Sequence, residues 1–162
     1  MEPIRYVDRL NAHYARQGFP AYQWTVNVDA PWTPLAKPLA HCAVSMLTSG
    51  GISRACAAPW NPSARNDLRL DEVDRDAPSN DFQIHDDYYD HRAADRDLNC
   101  VFPIDRLREL AAAGEIGGVA SRLWSGFMGR IYKRSEVIER AAPALAVELK
   151  KDEVDLFLLV PA

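Results

Sequence analysis

The chain has 162 residues, 48% apolar and 26% charged, with a net charge of -4, a length that fits one domain able to bury its own core. The acidic balance argues against nucleic acid or an anionic membrane surface as partner. No run approaches the ~20 apolar residues of a membrane span, and the start, MEPIRYVDRLNAHYARQ, lacks a signal-peptide core, so the expected location is the cytoplasm.

In chain order, residues 5–16 place Tyr6, Val7, Leu10 and Tyr14 near helical spacing, which predicts a short amphipathic helix. Residues 17–40 hold Gly18, Pro20, Pro31, Pro34 and Pro38, a density of proline that forbids regular elements. Trp24, Trp32 and Leu35 within them predict an ordered arm on the body of the protein. His41 to Thr48 (HCAVSMLT) reads as a buried strand ending at Ser49-Gly50-Gly51. Residues 53–80 read as irregular, with a charged run DLRLDEVDRD, and Phe82 to His85 as a second strand.

A polar loop runs from there to Asn99. Pro103 to Ala113 is the clearest helix: proline suits its first turn, Asp105 favours its start and Gly114 ends it. Ser121 to Met128 reads as a strand. Ser135 to Lys151 reads as a helix, capped by Ser135 and kinked or split at Pro143. Asp155 to Val160 (DLFLLV) closes the chain as a buried strand.

Alternation of this kind predicts an α/β fold: a mostly parallel sheet with flanking helices in a Rossmann- or flavodoxin-like three-layer arrangement, preceded by a proline-rich arm. The expected organisation is one domain over 1–162, with helix and arm in 1–40 and sheet and helices in 41–162.

The cysteines, Cys42, Cys56 and Cys100, form neither a disulfide framework nor a CxxC zinc site and read as reduced thiols. Cys42 and Cys100 read as small buried residues. Cys56, in the loop RACAAPW, is the one to test for reactivity. Of the tryptophans, Trp24, Trp32, Trp60 and Trp124, core or interface roles outweigh pocket lining.

The densest chemistry is HDDYYDHRAADRDLN, His85 to Asn99, with two His, five Asp, two Tyr, two Arg and one Asn in fifteen residues. It lies between a strand and a helix, where open α/β sheets bind ligands. Three readings stay open. The loop is a structural one knitted by Asp–Arg pairs; or His85 and His91 do acid–base work, since imidazole titrates near neutral pH; or His85 and His91 bind a metal with Asp87 or Asp90, a spacing that matches no strong template. Asp97 and Asn99 read as fasteners on the approach to the next helix, since Asp and Asn tie loops to nearby backbone.

Several segments, in order, resemble one family: IRYVDRLNAHYARQGFPAYQW, APWTPLAKPL, the strand ending in TSGGI, the His/Tyr/Asp loop leading into DRDLNCVFPIDRLRELAAAGEIG, and VDLFLLVP. Together they resemble the selenoprotein B family of glycine, betaine, sarcosine and D-proline reductases. The stretch from Asp95 to Gly117 is the most specific.

The resemblance implies a thiol-dependent oxidoreductase subunit. A selenocysteine or cysteine attacks a small amino-acid-like substrate and cleaves a carbon–nitrogen bond. A pyruvoyl group sits on a partner subunit, and this chain carries no metal or nucleotide. In D-proline-reductase-like members the redox residue follows a strand like VDLFLLVP, so it is expected just beyond Ala162. There it would see the positive end of a following helix, which favours its anionic form.

The expectation is therefore that the chain lacks its nucleophile and is inactive in this chemistry, its reading frame ended at a UGA codon or the chain being a naturally short homologue. Catalytic candidates are His85 and His91; substrate-facing candidates are Ser49, Gly50, Gly51, Asp87, Tyr89 and Asp90. The alternatives are a non-enzymatic binding or assembly subunit, forming a homodimer or hetero-complex, and a metal-dependent hydrolase built on the His85–His91 loop.

Overall fold

The structure is a computed structural model that describes residues 5–21 and 26–162. It divides into two compact units, Met1–Pro34 and Leu35–Ala162. In the first unit, α1 (Tyr6–Ala15) carries Tyr6, Leu10 and Tyr14 at four-residue steps, all exposed. The Tyr14 ring meets Phe19 edge-on at 6.1 Å. Trp24 lies outside the described residues, and Trp32 is exposed.

The second unit is an α/β body. Its central strand is β1 (Ala43–Thr48), buried almost throughout. A strand covered on both faces needs an unbroken apolar run, and AVSMLT comes close to one, its hydroxyls being bonded. Ser45 Oγ, for example, donates to the Arg122 carbonyl at 2.8 Å.

On one side β1 pairs in parallel with β5 (Gly118–Val119) and then β6 (Arg122–Gly126). On the other it pairs in parallel with β7 (Leu156–Val160), Val44 facing Leu156 and Thr48 facing Val160. β3 (Leu70–Asp74) closes the β6 edge antiparallel. The sheet is thus mixed but mostly parallel. β3 falls within the charged run read as irregular. Of LDEVD only Val73 is buried, the pattern of an edge strand whose charges face water.

The expected second strand exists as β4 (Phe82–Ile84) but belongs to a separate antiparallel pair with β2 (Ile52–Arg54), Ile52 facing Ile84. The glycine turn after β1 leads straight into β2, so this small sheet carries the start of the polar loop back to the tip of β1.

Side-chain alternation sends β1 residues to opposite faces. Val44 and Met46 pack with Leu123, Phe102, Ile104 and Leu107, the last two from α2 (Ile104–Ala112). Leu47 packs with Trp124, Phe157 and Leu145, the last from α4 (Ala142–Lys151). Burying a side chain the size of Phe102 or Leu123 contributes about 1.5–3 kcal/mol, so these two clusters hold the helices on the sheet.

The helix expected over 135–151 runs from α3 (Arg134–Glu136) through a π-helical segment, Val137–Ala141, into α4. Pro143 explains the π segment: it has no amide hydrogen and its ring crowds the carbonyl one turn back, so the preceding turn widens. Ser135 is no cap. It sits inside α3, whose N-cap position is Lys133.

Arg122 ties these layers together. Its guanidinium bonds Asp152 and Glu148 of the α4 end and Glu72 of β3 at 2.8–3.0 Å, and lies over the Trp124 ring. The hydrogen bonds to Asp152, outweighing burial, raise its pKa further above the ordinary arginine value.

α2 and α4 pack against opposite faces of the sheet, and the space beyond the carboxyl ends of the strands is the usual ligand position in such sheets.

Candidate functional site at the carboxyl ends of β1 and β7

The tips of β1 and β7 are joined by short polar contacts. The Ser49 amide donates to the Val160 carbonyl at 3.2 Å, and the Ala162 amide donates to Ser49 Oγ at 3.1 Å. The Gly50 amide donates to Thr48 Oγ1 at 3.1 Å. These bonds fix the glycine turn against the end of β7.

Gly51 is required by geometry. Gly51 has φ +66, and a Cβ there would lie 2.7 Å from the His85 carbonyl oxygen, so a side chain meets both strain and collision. Gly50 has no unusual φ but is closely surrounded. A Cβ on it would lie 3.2 Å from the Tyr89 hydroxyl, 3.3 Å from Thr48 Oγ1 and 3.4 Å from the Ala162 Cβ.

The polar loop reaches this turn at two points. The His85 amide donates to the Gly51 carbonyl at 3.0 Å, and the Tyr89 hydroxyl donates to the Gly50 carbonyl at 3.0 Å. Burial, reinforced by Asp86 and Asp95, pushes the Tyr89 phenol up to about 12, so it remains a donor throughout the neutral range. Tyr88 faces the loop that follows β6, with the Arg130 guanidinium 5.3 Å from its ring. Phe127 and Arg130 in that loop hold positive φ, a local strain common around ligand sites.

Behind Tyr89 lies a histidine–carboxylate pair. His91 Nδ1 is 2.9 Å from both oxygens of Asp95, and the His91 and Tyr89 rings meet edge to face at 5.9 Å. Asp86 is buried and accepts the Tyr88 amide at 2.7 Å. Burial first, then Asp87, raises its pKa, while His91 pulls the other way.

The candidate residues therefore divide. Ser49, Gly50, Gly51 and Tyr89 meet at the strand tips, and His85 joins them through its backbone. His85 Nδ1 is buried and has no hydrogen-bond partner among the described residues. His91 stands behind Tyr89. Asp87 is exposed, and Asp90 is exposed and forms a two-point ion pair with Arg92, the type of link expected of a structural loop.

Asp97 and Asn99 fasten the loop to α2. Asp97 accepts the Asn99 amide at 3.0 Å, and Asn99 Oδ1 accepts the Asp105 amide at 3.0 Å. Asp95, not among the candidate site residues, is brought against the His91 ring. The signal was the four-residue step from His91, which places two side chains together on one helical turn.

Beside the pair is an open cleft of about 470 Å³, lined by Phe82, Ile84, Leu98, Asp95, Arg96 and Asn99 among others. Among the described residues no group of three or more His, Cys, Asp or Glu side chains is disposed to hold a metal. No described helix is long and apolar enough to cross a membrane.

Cys42 is buried, as expected, and Cys56 is exposed; Cys100, expected to be buried, is also exposed, in the 3₁₀ turn Leu98–Cys100. Trp60 and Trp124 are core residues; the Trp60 indole donates to the Ile52 carbonyl at 2.7 Å.

Comparison with known proteins agrees with these segments. Residues 19–162 match the family described as glycine/sarcosine/betaine reductase selenoprotein B. The D-proline reductase subunit gamma of Acetoanaerobium sticklandii is 33% identical over 128 residues, covering 79% of this chain and 52% of the relative. The glycine reductase complex component B subunit gamma of Carboxydothermus hydrogenoformans is 28% identical over 138 residues, covering 80% of this chain and 30% of the relative. The chain thus spans about half the length of the first relative and less than a third of the second. No solved structure matches. With nearly the whole of its sheet-bearing body inside the match, the chain belongs to the glycine/sarcosine/betaine reductase selenoprotein B family.

Proposed function

We propose that the chain is the scaffold and substrate loop of a reductase-complex subunit that cleaves a carbon–nitrogen bond in a small amino-acid-like molecule, with dithiol as reductant. The redox selenocysteine or cysteine is carried immediately after Ala162, and a partner subunit supplies the pyruvoyl group. The supporting observation is the seating of Ala162: its amide is bonded to Ser49 Oγ and its Cβ faces Gly50 beside the Tyr89 hydroxyl. A chalcogenolate at the next position would emerge between the glycine turn and the polar loop.

In this reading the chalcogenolate attacks the substrate carbon. A carbon–chalcogen bond forms, the carbon–nitrogen bond breaks, and the bonding pair leaves with nitrogen, which takes a proton. A dithiol then releases the carbon as C–H and is itself oxidised to a disulfide, so two electrons and two protons are transferred overall. Ser49, Gly50 and Gly51 on one side and Tyr89 on the other border the reacting molecule, with His91 behind Tyr89; His85 joins them through its backbone, while Asp87 and Asp90 lie outward on the loop. The 162 residues alone are inactive in this chemistry.

The test compares the 162-residue chain with a version extended by Cys at position 163, each assembled with partner subunits and assayed on D-proline and glycine with dithiol. Turnover by the extended chain alone is expected. Equal turnover by both refutes the placement of the nucleophile.

A further inference from the structure

The two catalytic candidates are placed very differently, and the difference assigns their roles. His85 is held through its backbone, and its Nδ1 is buried. His91 has 36% of its side chain exposed, and Nδ1 faces both Asp95 oxygens at 2.9 Å. A carboxylate only accepts, so Nδ1 must carry the hydrogen. That fixes the neutral ring in one tautomer and leaves Nε2 as the nitrogen free to exchange a proton; no described residue bonds it. The Asp95 amide donates to the His91 carbonyl at 2.8 Å, so one helical turn sets the spacing of the pair. Tyr89 links it to the site, its ring against His91 and its hydroxyl on Gly50. Two further carboxylates feel the His91 charge: Asp86, which is buried, and Asp90, which is paired with Arg92.

We propose that His91 is the proton donor to the departing amine and that Asp95 is its positioning residue, which rests on the reductase reading above. As the carbon–nitrogen bond breaks and its electron pair stays on nitrogen, the His91 imidazolium gives its Nε2 proton to that nitrogen. It is left neutral, with Nδ1–H still directed at Asp95. The carboxylate takes no proton; it holds the ring in its tautomer and orientation, the positioning role a carboxylate has in hydrolase triads.

The test has two readouts. Imidazole ¹⁵N–¹H spectra of the chain report the tautomer without any turnover. His91 is expected in the Nδ1–H form, and Asp95→Asn is expected to shift it toward Nε2–H. In the assembled complex with a chalcogen at 163, D-proline or glycine as substrate and dithiol as reductant, His91→Gln should lower kcat by about 100-fold with little change in KM. Asp95→Asn should lower kcat less, and Asp95→Glu should restore most of it. An unchanged tautomer in Asp95→Asn overturns the positioning role even where the complex is active. Undiminished kcat in His91→Gln overturns the donor role. A wild-type complex that turns over neither substrate refutes the reductase reading, and this proposal with it.

Discussion

Asp86 shows how a single residue in the loop trades stability for position. Its carboxylate is buried, satisfied by one backbone amide, and raised in pKa by desolvation ahead of the nearby Asp87 charge. A raised folded value means that the folded state holds the proton more tightly than the unfolded chain does. The associated stability is therefore fully present below the unfolded value of 3.8 and is lost as pH rises through the folded one. Asp86→Asn keeps the acceptor for the Tyr88 amide and removes the charge. It is expected to raise the thermal midpoint at about pH 7 and leave it nearly unchanged at about pH 3. Equal effects at both values, measured by circular dichroism melts, contradict this account.

At the same scale, what could be read from the sequence depended on whether one residue type has one use. Gly50-Gly51 was legible because glycine after a strand points to a tight turn or close approach, and both occur here. Cys100 was not: free thiols are usually buried, but this one lies on a 3₁₀ turn that faces outward. Asp95 was overlooked because five aspartates in one loop look alike until the chain places one of them against His91 Nδ1.

At the scale of elements, α2 depends on the loop before it. Its first turn is tied to Asn99, whose Oδ1 accepts the Asp105 amide while its Nδ2 reaches Asp97 and Asp105. Asn99→Ala leaves a helix-start amide without its side-chain partner and is expected to cost about 1 kcal/mol in chemical denaturation, with Asn99→Asp costing less. A loss within error of zero for Asn99→Ala would show that water replaces the bond.

The long elements were legible because pattern and breakers agree. Strand β1 carries a near-continuous apolar run, α2 is bounded by Pro103 and Gly114, and Pro143 interrupts its helix where the π segment lies. β3 was missed because an edge strand needs only one buried side chain, Val73, and the rest of DLRLDEVDRD follows no apolar period. β4 was found but assigned to the main sheet. Pairing partners depend on contacts far along the chain, and its partner β2 is only three residues long.

At the scale of the molecule, the sheet brings three distant stretches to one place: the glycine turn near residue 50, the loop near 89 and the strand end at 162. The strand order does this, since β7 pairs with β1 from Val44 to Thr48. On its open side β7 exposes Leu159.

The central claim is that whatever follows β7 is delivered against the glycine turn. A Cβ on Gly50 would lie 3.4 Å from the Cβ of Ala162, close to the ~3.5–4.5 Å range that a disulfide spans. With Cys56 and Cys100 replaced by Ser, the double variant Gly50→Cys, Ala162→Cys should form an intramolecular disulfide on mild oxidation, identified by peptide mapping, while each single variant stays monomeric and reduced. Two free thiols in the folded double variant would contradict the placement of the site at the tips of β1 and β7.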